Sequence, residues 1–259
     1  MTTQWAPAKL AVELGVVGTR ADGYHLLEAE MVTIDLADRL DFAEGSSLDV
    51  LDAGGARTDY LGAEDDNLVS RALERCGRTA AVTLHKTIPI GGGLGGGSAD
   101  AAAVLRWAGV TDRATAAALG ADVPFCVVGG RAAVGGIGEQ VTPLGHRDAV
   151  YTLVLPALFV ATPAVYAAYD ELGAGPVGLH RNDLEAAACA VEPRLAAVRD
   201  ALHELTGVTA TLAGSGSTWF FDGPAGALGL TPGATAVAGV HCRVIEVRAV
   251  PAGWAGPER

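Results

Sequence analysis

Residues 86–100 read Lys-Thr-Ile-Pro-Ile-Gly-Gly-Gly-Leu-Gly-Gly-Gly-Ser-Ala-Asp, and Ala101 to Ala108 behind them have strong helix propensity. Six glycines between positions 91 and 97, directly before a helix that Ser98 and Asp100 can start, exceed what a turn requires. Glycine permits positive φ and removes side chains, so several backbone N–H groups can converge on one anion. The helix behind the loop adds unpaired donors and the positive end of its dipole. The stretch therefore reads as a phosphate-binding loop, with Ser98 able to bond a phosphate oxygen or a phosphate-bound Mg²⁺. It lacks a Gly-Lys-Ser/Thr ending, so it is no Walker A loop. Gly91-x-Gly93-x-x-Gly96 formally satisfies the dinucleotide pattern. However, the acid expected about 20 residues on falls within Arg113-Ala-Thr-Ala-Ala-Ala118, which disfavours a nicotinamide dehydrogenase.

Upstream, residues 8–17 alternate with period two and predict a half-buried strand. Leu10, Val12, Leu14 and Val16 lie on one face, with Lys9, Ala11 and Glu13 on the polar face. Asp22-Gly23 signals a turn before Tyr24-His25 and a second extended run to about Phe42. Residues 44–66 read as strands and loops, and Asn67 caps a helix ending at Gly77. Ala81 to His85 is a strand. Downstream, Asp112 to Leu119 reads as a short helix closed by Gly120, and Pro124 to Val134 as a hairpin turning at Gly129-Gly130.

From about residue 148 the pattern restarts. Strands are expected at 150–155 and 158–161, with a helix from the Thr162-Pro163 cap to Leu172. Asn182 caps a helix through Val191, and Glu192-Pro193 starts another ending at Gly207. Strands follow at 208–213, 218–221 and 243–250. The chain therefore reads as α+β, in domains 1–147 and 148–259.

Of 259 residues half are hydrophobic and 19% charged, enough for a sizeable core and against a disordered chain. Lys plus Arg number 18 against 30 Asp plus Glu, a formal charge of −12. Such a surface repels phosphate backbones and anionic lipid, so no nucleic-acid or membrane partner is expected. No run of about 20 residues is continuously apolar, and the N-terminus lacks a basic and apolar leader, so a cytoplasmic protein is expected. Cys76, Cys126, Cys189 and Cys242 are far apart and read as free thiols rather than zinc ligands or a disulfide framework. Only two lysines occur, Lys9 and Lys86, in a chain that otherwise uses arginine.

The segment 86–100 resembles the central nucleotide loop of the GHMP family of small-molecule kinases. Pro7-Ala8-Lys9 followed by Arg20-Ala-Asp-Gly-Tyr-His25, Leu119-Gly-Ala-Asp-Val-Pro-Phe125 and Leu212-Ala-Gly-Ser-Gly-Ser217 resemble further family motifs, in family order. Gly136-Ile-Gly-Glu139 and Asn182-Asp-Leu-Glu185 also fit. Asp-Gly-Tyr-His and Gly-Ala-Asp-Val-Pro resemble the branch that phosphorylates the tertiary 2-hydroxyl of a cytidine-diphosphate-linked methylerythritol. That reaction belongs to non-mevalonate isoprenoid precursor synthesis and uses ATP and Mg²⁺.

The resemblance implies a two-domain fold, with a left-handed β-α-β unit in the N-terminal domain and the active site in the cleft between domains. It implies ATP binding by Pro89, Ile90, Gly91, Gly92, Gly93, Leu94, Gly95, Gly96, Gly97, Ser98 and Ala99, with Ser98 on Mg²⁺. Asp122 is the implied base, with Lys9 beside it orienting it; beside that ammonium Asp122 acts more by positioning than as a strong base. Tyr24 and His25 are implied to hold the cytosine, and Gly214, Ser215 and Gly216 to approach the phosphates or close the cleft. Lys86 reads either as a nucleotide contact or as a solvated strand-end lysine, and Asn182 as a helix cap. The protein is expected to work as a monomer or homodimer.

Two features depart from the pattern: Ala11 stands where the family usually has asparagine, and the segment 106–119 is short. They keep two alternatives open, a GHMP kinase for another small alcohol and a nucleotide-binding relative with weak catalysis. Tyr24-His25 argues against the first, and retention of Lys9 and Asp122 against the second.

Overall fold

A computed structural model describes residues 1–55, 67–173 and 181–257. Its longest elements are β1 (Thr2–Thr19) and β2 (His25–Ala43), an antiparallel pair in register from Thr2↔Phe42 to Thr19↔His25. The turn between them uses Gly23 at φ +90° and is closed by the Gly23 amide donating to the Arg20 carbonyl at 2.9 Å.

A strand has two hydrogen-bonding edges. Since β1 occupies one edge of β2 along its length, β4 (Ala81–His85) and β5 (Arg131–Gly136) lie end to end on the other. Outside them β3 (Leu48–Leu51) pairs parallel with β4, and β6 (Gln140–Leu144) antiparallel with β5. In the chain between β3 and β4 lies α1 (Leu68–Arg75), whose first turn is capped by Asn67 accepting from the Val69 amide at 2.9 Å. Residues 56–66, part of the stretch expected to hold strands and loops, lie outside the described residues.

The strand β1 departs from simple alternation. Register shifts at Pro7/Lys9 and Ala11/Glu13 mark bulges, and Lys9 and Ala11, expected on a polar face, are both buried. The cover is α2 (Gly96–Ala108), in which Ala99 to Leu105 are all buried. Its alanines let it sit close among β1, α1 and α4 (Val123–Val128). Arg106 then ties three elements together, donating to the carbonyls of Trp5 at 2.8 Å and Cys126 at 2.6 Å.

The second half is an antiparallel sheet in the order β10-β11-β7-β9-β8. Its strands are β7 (Val150–Pro156), β8 (Thr211–Leu212), β9 (Trp219–Asp222), β10 (Gly233–Val237) and β11 (Val240–Arg248). Helices α5 (Thr162–Leu172), α6 (Glu185–Val191) and α7 (Arg194–Thr206) accompany it, α7 ending at Gly207 in the left-handed region. The core, with Leu153, Leu195, Trp219 and Phe220, runs on into that of the first half. The halves are stitched by an Ile34–Ala249 bridge and by the Leu14 and Asp183 amides, which bond to Arg181 and Leu14 carbonyls at 2.9 and 3.0 Å.

The fold is α+β, as expected, with several local corrections. Pro124 to Val134 is not a hairpin. Val123 to Val128 is helix α4, which accepts Pro124 in its first turn, where no N–H is needed, and only Arg131 onward is strand. Residues 158–161 form no strand. The helix α2 starts at Gly96 rather than at Ser98 or Asp100, and Thr162 is the first residue of α5 rather than its cap, which is Ala161. The short strands β6 and β10 were not expected. α3 (Arg113–Ala117) is capped by Asp112, as expected. No helix among the described residues is long and apolar enough to cross a membrane. All four cysteines are free, and burial pushes the Cys126 thiol up to about 12.

Candidate active site

Both halves line one cleft of about 860 Å³. The first half contributes Lys9, Tyr24, His25, Asp122 and the glycine loop from Pro89 to Ser98; the second contributes Thr162, Tyr166, Asp170, Gly214 and Ser215. Ala99 and Gly216 are not on its wall. Ala99 is buried in α2, and a Cβ on Gly216 would meet Leu212 and Leu195.

The loop's course follows from its glycines. Gly91, Gly93 and Gly95 have φ of +69°, +76° and +68°, and Gly95 is the N-cap of α2, with no side chain to bond the helix. The first intrahelical bond is from the Ala99 amide to the Gly95 carbonyl at 2.8 Å. The N–H groups of Gly96, Gly97 and Ser98 therefore precede the helical ladder and are available to an anion. At Gly93 a Cβ would lie 1.9 Å from the Ala213 carbonyl oxygen, so the two glycine motifs touch backbone to backbone. The Ser217 amide donates to the Gly91 carbonyl at 3.1 Å, and the Lys9 amide, released from the ladder at the Pro7/Lys9 bulge, to that of Leu94 at 3.0 Å.

Lys9 Nζ lies 3.4 Å from Asp122 Oδ2, and 3.1 Å from the place a Cβ on Gly214 would take. Asp122 is the N-cap residue of α4 but its side chain bonds no helix amide, which leaves the carboxylate turned to the cleft. Behind it, Gly138 at φ +116° packs on the Ala121 carbonyl, leaving 2.3 Å for a Cβ. This contact accounts for the second glycine of the Gly136-Ile-Gly-Glu139 motif, far from the loop in sequence. Ser98 Oγ lies 3.9 Å from where a Cβ on Gly120 would be, on the Asp122 side.

His25 opens β2 and Tyr24 precedes it. Tyr24 is 58% exposed, with the Arg20 guanidinium 5.4 Å over its ring. His25 stacks on Tyr166 at a centroid distance of 4.8 Å, meets Tyr169 edge-on at 5.7 Å, and bonds Asp170 Oδ1 through Nε2 at 2.7 Å. Burial, with Asp122 adding a smaller push, raises the Tyr166 phenol to about 12. Tyr166 and Asp170 were not singled out from the sequence. Their i, i+4 spacing behind Thr162-Pro163 puts them on one helix face, but only the contact with His25 marks that face as part of the site.

The loop Gly214-Ser215-Gly216 is held from below. Asn182 Nδ2 donates to the carbonyls of Leu212 at 2.8 Å and Gly214 at 2.6 Å, while its Oδ1 accepts from the Leu184 amide at 2.9 Å. Asn182 thus lies ahead of α6, whose N-cap is Leu184, and clamps the loop rather than capping a helix. Ser215 Oγ is paired with Thr162 Oγ1 at 2.8 Å. Lys86 lines the cleft but is not solvated; its ammonium is buried between Asp38 and Asp100.

Comparison with known proteins follows this geometry. The family description "GHMP kinases N terminal domain" matches residues 67–130. A 4-diphosphocytidyl-2-C-methyl-D-erythritol kinase of Paracoccus denitrificans is 40% identical, over 83% of this chain and 84% of its own length. A crystal structure of a 4-(cytidine 5'-diphospho)-2C-methyl-D-erythritol kinase superimposes with a TM-score of 0.71 at 32% identity, over 96% of this chain and all of the other. Homoserine kinase from Cytophaga hutchinsonii superimposes with a TM-score of 0.56 at 16% identity, over 96% of this chain and 94% of the other, a likeness of fold.

Proposed function

Since the chain belongs to the 4-diphosphocytidyl-2-C-methyl-D-erythritol kinases within the GHMP family, we propose that its cleft transfers the ATP γ-phosphate to the 2-hydroxyl of 4-diphosphocytidyl-2-C-methyl-D-erythritol. The step serves isoprenoid precursor synthesis. One observation carries the residue roles: Lys9 Nζ sits within 3.4 Å of Asp122 Oδ2 while its backbone amide bonds the glycine loop at Leu94. A single residue thereby fixes the base relative to the phosphate loop.

In the proposed mechanism the amides of Gly96, Gly97 and Ser98 hold the nucleotide phosphates at the start of α2, where the dipole favours negative charge. The substrate 2-hydroxyl lies against Asp122. As its oxygen bonds the γ-phosphorus in line, its proton passes to Asp122, the bond to the β,γ-bridging oxygen breaks, and ADP departs. Lys9 keeps the carboxylate oriented and screens the charge on the moving phosphoryl group. Tyr24, His25 and Tyr166 offer ring faces and an imidazole for the cytosine, with Asp170 holding the imidazole. Gly214 and Ser215 continue the wall beside the loop, against Gly93.

Among the described residues no three His, Cys, Asp or Glu side chains gather as a metal cage, which suits Mg²⁺ that arrives on phosphates and keeps its waters. Ser98, whose hydroxyl lines the cleft at the start of α2, would hold it, and it would supply charge neutralisation at the phosphates. We further propose a cytoplasmic setting, favoured by four free cysteines, and action on a free small molecule as monomer or homodimer.

The test is ATP-to-ADP turnover with Mg²⁺ on the purified protein, comparing the cytidylated substrate with methylerythritol 4-phosphate and with mevalonate. Turnover with the cytidylated alcohol alone is expected. Preference for another alcohol would keep the phosphate loop and discard the base-holding role. Bound nucleotide without turnover would point to Ala11, an apolar residue buried two positions after Lys9.

A further inference from the structure

Of the two lysines in this chain, Lys86 has no part in the chemistry above, yet it is the more deeply engaged. It follows the last residue of β4, and its Nζ donates to Asp38 Oδ2 and to Asp100 Oδ2, the latter at 2.7 Å. Asp38 comes from β2 and is fully buried; its other oxygen accepts from the amides of Thr87 and Ile88, the latter at 2.8 Å. Those two residues lead into Pro89, so Asp38 sets the path by which the chain enters the glycine loop. Asp100 lies one turn into α2, at the exit from the same loop. Nζ itself lies 3.2 Å from where a Cβ on Gly96 would stand, directly against the first residue of α2.

This is an expensive arrangement. A cation beside a helix N-terminus is opposed by the helix dipole, so Lys86 needs its carboxylates there. A buried ammonium with its carboxyl partners contributes little net stability compared with apolar side chains of similar size. Among the described residues Asp100 Oδ1 is moreover buried with no hydrogen-bond partner. What the cluster does supply is geometry: one ammonium joins the entrance of the loop, through Asp38, to its exit, through Asp100.

We propose that Lys86, Asp38 and Asp100 are positioning residues that set the separation between the two ends of the glycine loop and so aim the Gly96–Ser98 amides at the nucleotide phosphates. The inference rests on the phosphate-loop reading given under the proposed function. Lys86 and Asp100 reach the wall of the cleft but are buried in it, so Lys86 acts through the backbone of the loop and is not itself a phosphate ligand.

Asp100→Ala tests this with the least disturbance. It removes the tie to α2, leaves Lys86 and Asp38 as a neutral pair, and places a good helix former in α2. Asp100→Asn keeps an acceptor for Nζ and serves as the conservative rescue. The readouts are KM for ATP, KM for the alcohol, kcat, and the rise in Tm on adding MgADP. Loss of a charge-assisted bond predicts that Asp100→Ala raises KM for ATP about tenfold. Its kcat should change less than about threefold, KM for the alcohol less than about twofold, and the MgADP shift should shrink. Asp100→Asn should restore KM for ATP to within about threefold of wild type. If Asp100→Ala does not fold, Asp100→Ser, with a shorter acceptor, carries the same expectation. A variant that melts lower but keeps its KM for ATP and full MgADP shift would show a structural role only and overturn the inference. So would Asp100→Asn as impaired as Asp100→Ala. A wild-type protein with no MgADP shift would instead overturn the nucleotide reading of the loop, and this inference with it.

Discussion

Lys9 and Asp122 form an ion pair with one wet side: the carboxylate is 29% exposed to the cleft, while the ammonium 3.4 Å away is 6% exposed and enclosed by the two glycine motifs. Buried and held by its own backbone amide, the lysine is the fixed member, and the aspartate presents a free oxygen to whatever occupies the cleft.

Asp122→Asn should therefore lower kcat by roughly 10²–10⁴ with ATP binding nearly intact, since the amide keeps the shape but takes no proton. Lys9→Met should lower kcat by about 10²–10³, on the scale of other electrostatic stabilisers of a transition state. Single-turnover rates with radiolabelled ATP, alongside ADP binding by calorimetry, separate chemistry from binding. Near-normal turnover in Asp122→Asn would remove Asp122 from the mechanism.

Gly93→Ala and Gly109→Ala form a matched pair, because both positions have positive φ, +76° and +74°. At Gly109, beyond the end of α2, nothing lies within 4 Å of a new Cβ, so only the backbone cost of about 1–2 kcal/mol applies. At Gly93 the Cβ would fall 1.9 Å from the Ala213 carbonyl oxygen, and backbone must move. Gly109→Ala should lose modest stability and keep its KM for ATP. Gly93→Ala should lose more stability and raise that KM at least tenfold, because parting the two glycine motifs displaces the phosphate loop. Urea denaturation and steady-state kinetics on both variants decide it.

Tyr166→Leu addresses the far end of the cleft. The ring stacks on His25 and faces the cavity, so its loss removes an aromatic surface while keeping an apolar side chain on α5. Aromatic stacking worth about 0.5–1.5 kcal/mol predicts a KM for the cytidylated alcohol raised about three- to tenfold, with KM for ATP unchanged. Equal effects on both substrates would place the ring outside the base-holding region.

Much of this was legible in local sequence, where the physics is local. Asn67 ahead of an amphipathic run, the period-two pattern of β1, and glycines feeding an alanine-rich helix each specify structure within one turn or strand. Failures came where distant residues decide. Val123-Pro-Phe-Cys-Val-Val is an apolar run too short for its periodicity to separate strand from helix, and packing on α2 decides it. Lys9 reads as solvated until the two glycine motifs close over it at Gly95 and Gly214. Lys86 meets Asp38, 48 residues away, and Asp100, 14 away, so its burial between two carboxylates follows only from the pairing of β4 with β2 and the return of the chain into α2. Tyr166 and Asp170 gain meaning only from His25, which the other half supplies.

The pH dependence of folding should carry the mark of Asp100. Burial is the largest influence on its carboxyl; the negative Asp38 adds to it and the Lys86 ammonium opposes it, and together they push Asp100 up from an ordinary 3.8 to about 7. The folded protein thus holds, between about pH 4 and pH 7, a proton that the unfolded chain releases. The native state binds the extra proton in that window, so the stability from this group is full at acid pH and is lost as pH rises through about 7. Lys86 stays charged throughout, because its two carboxylates outweigh the burial that alone would lower it. Asp100→Asn has no proton to lose. The Tm of the variant minus that of wild type should accordingly become more positive from pH 5 to pH 8, as wild type alone begins to ionise a carboxyl with an unpartnered oxygen. Scanning calorimetry of both proteins across that range measures the difference directly, and parallel profiles would show that Asp100 does not titrate there.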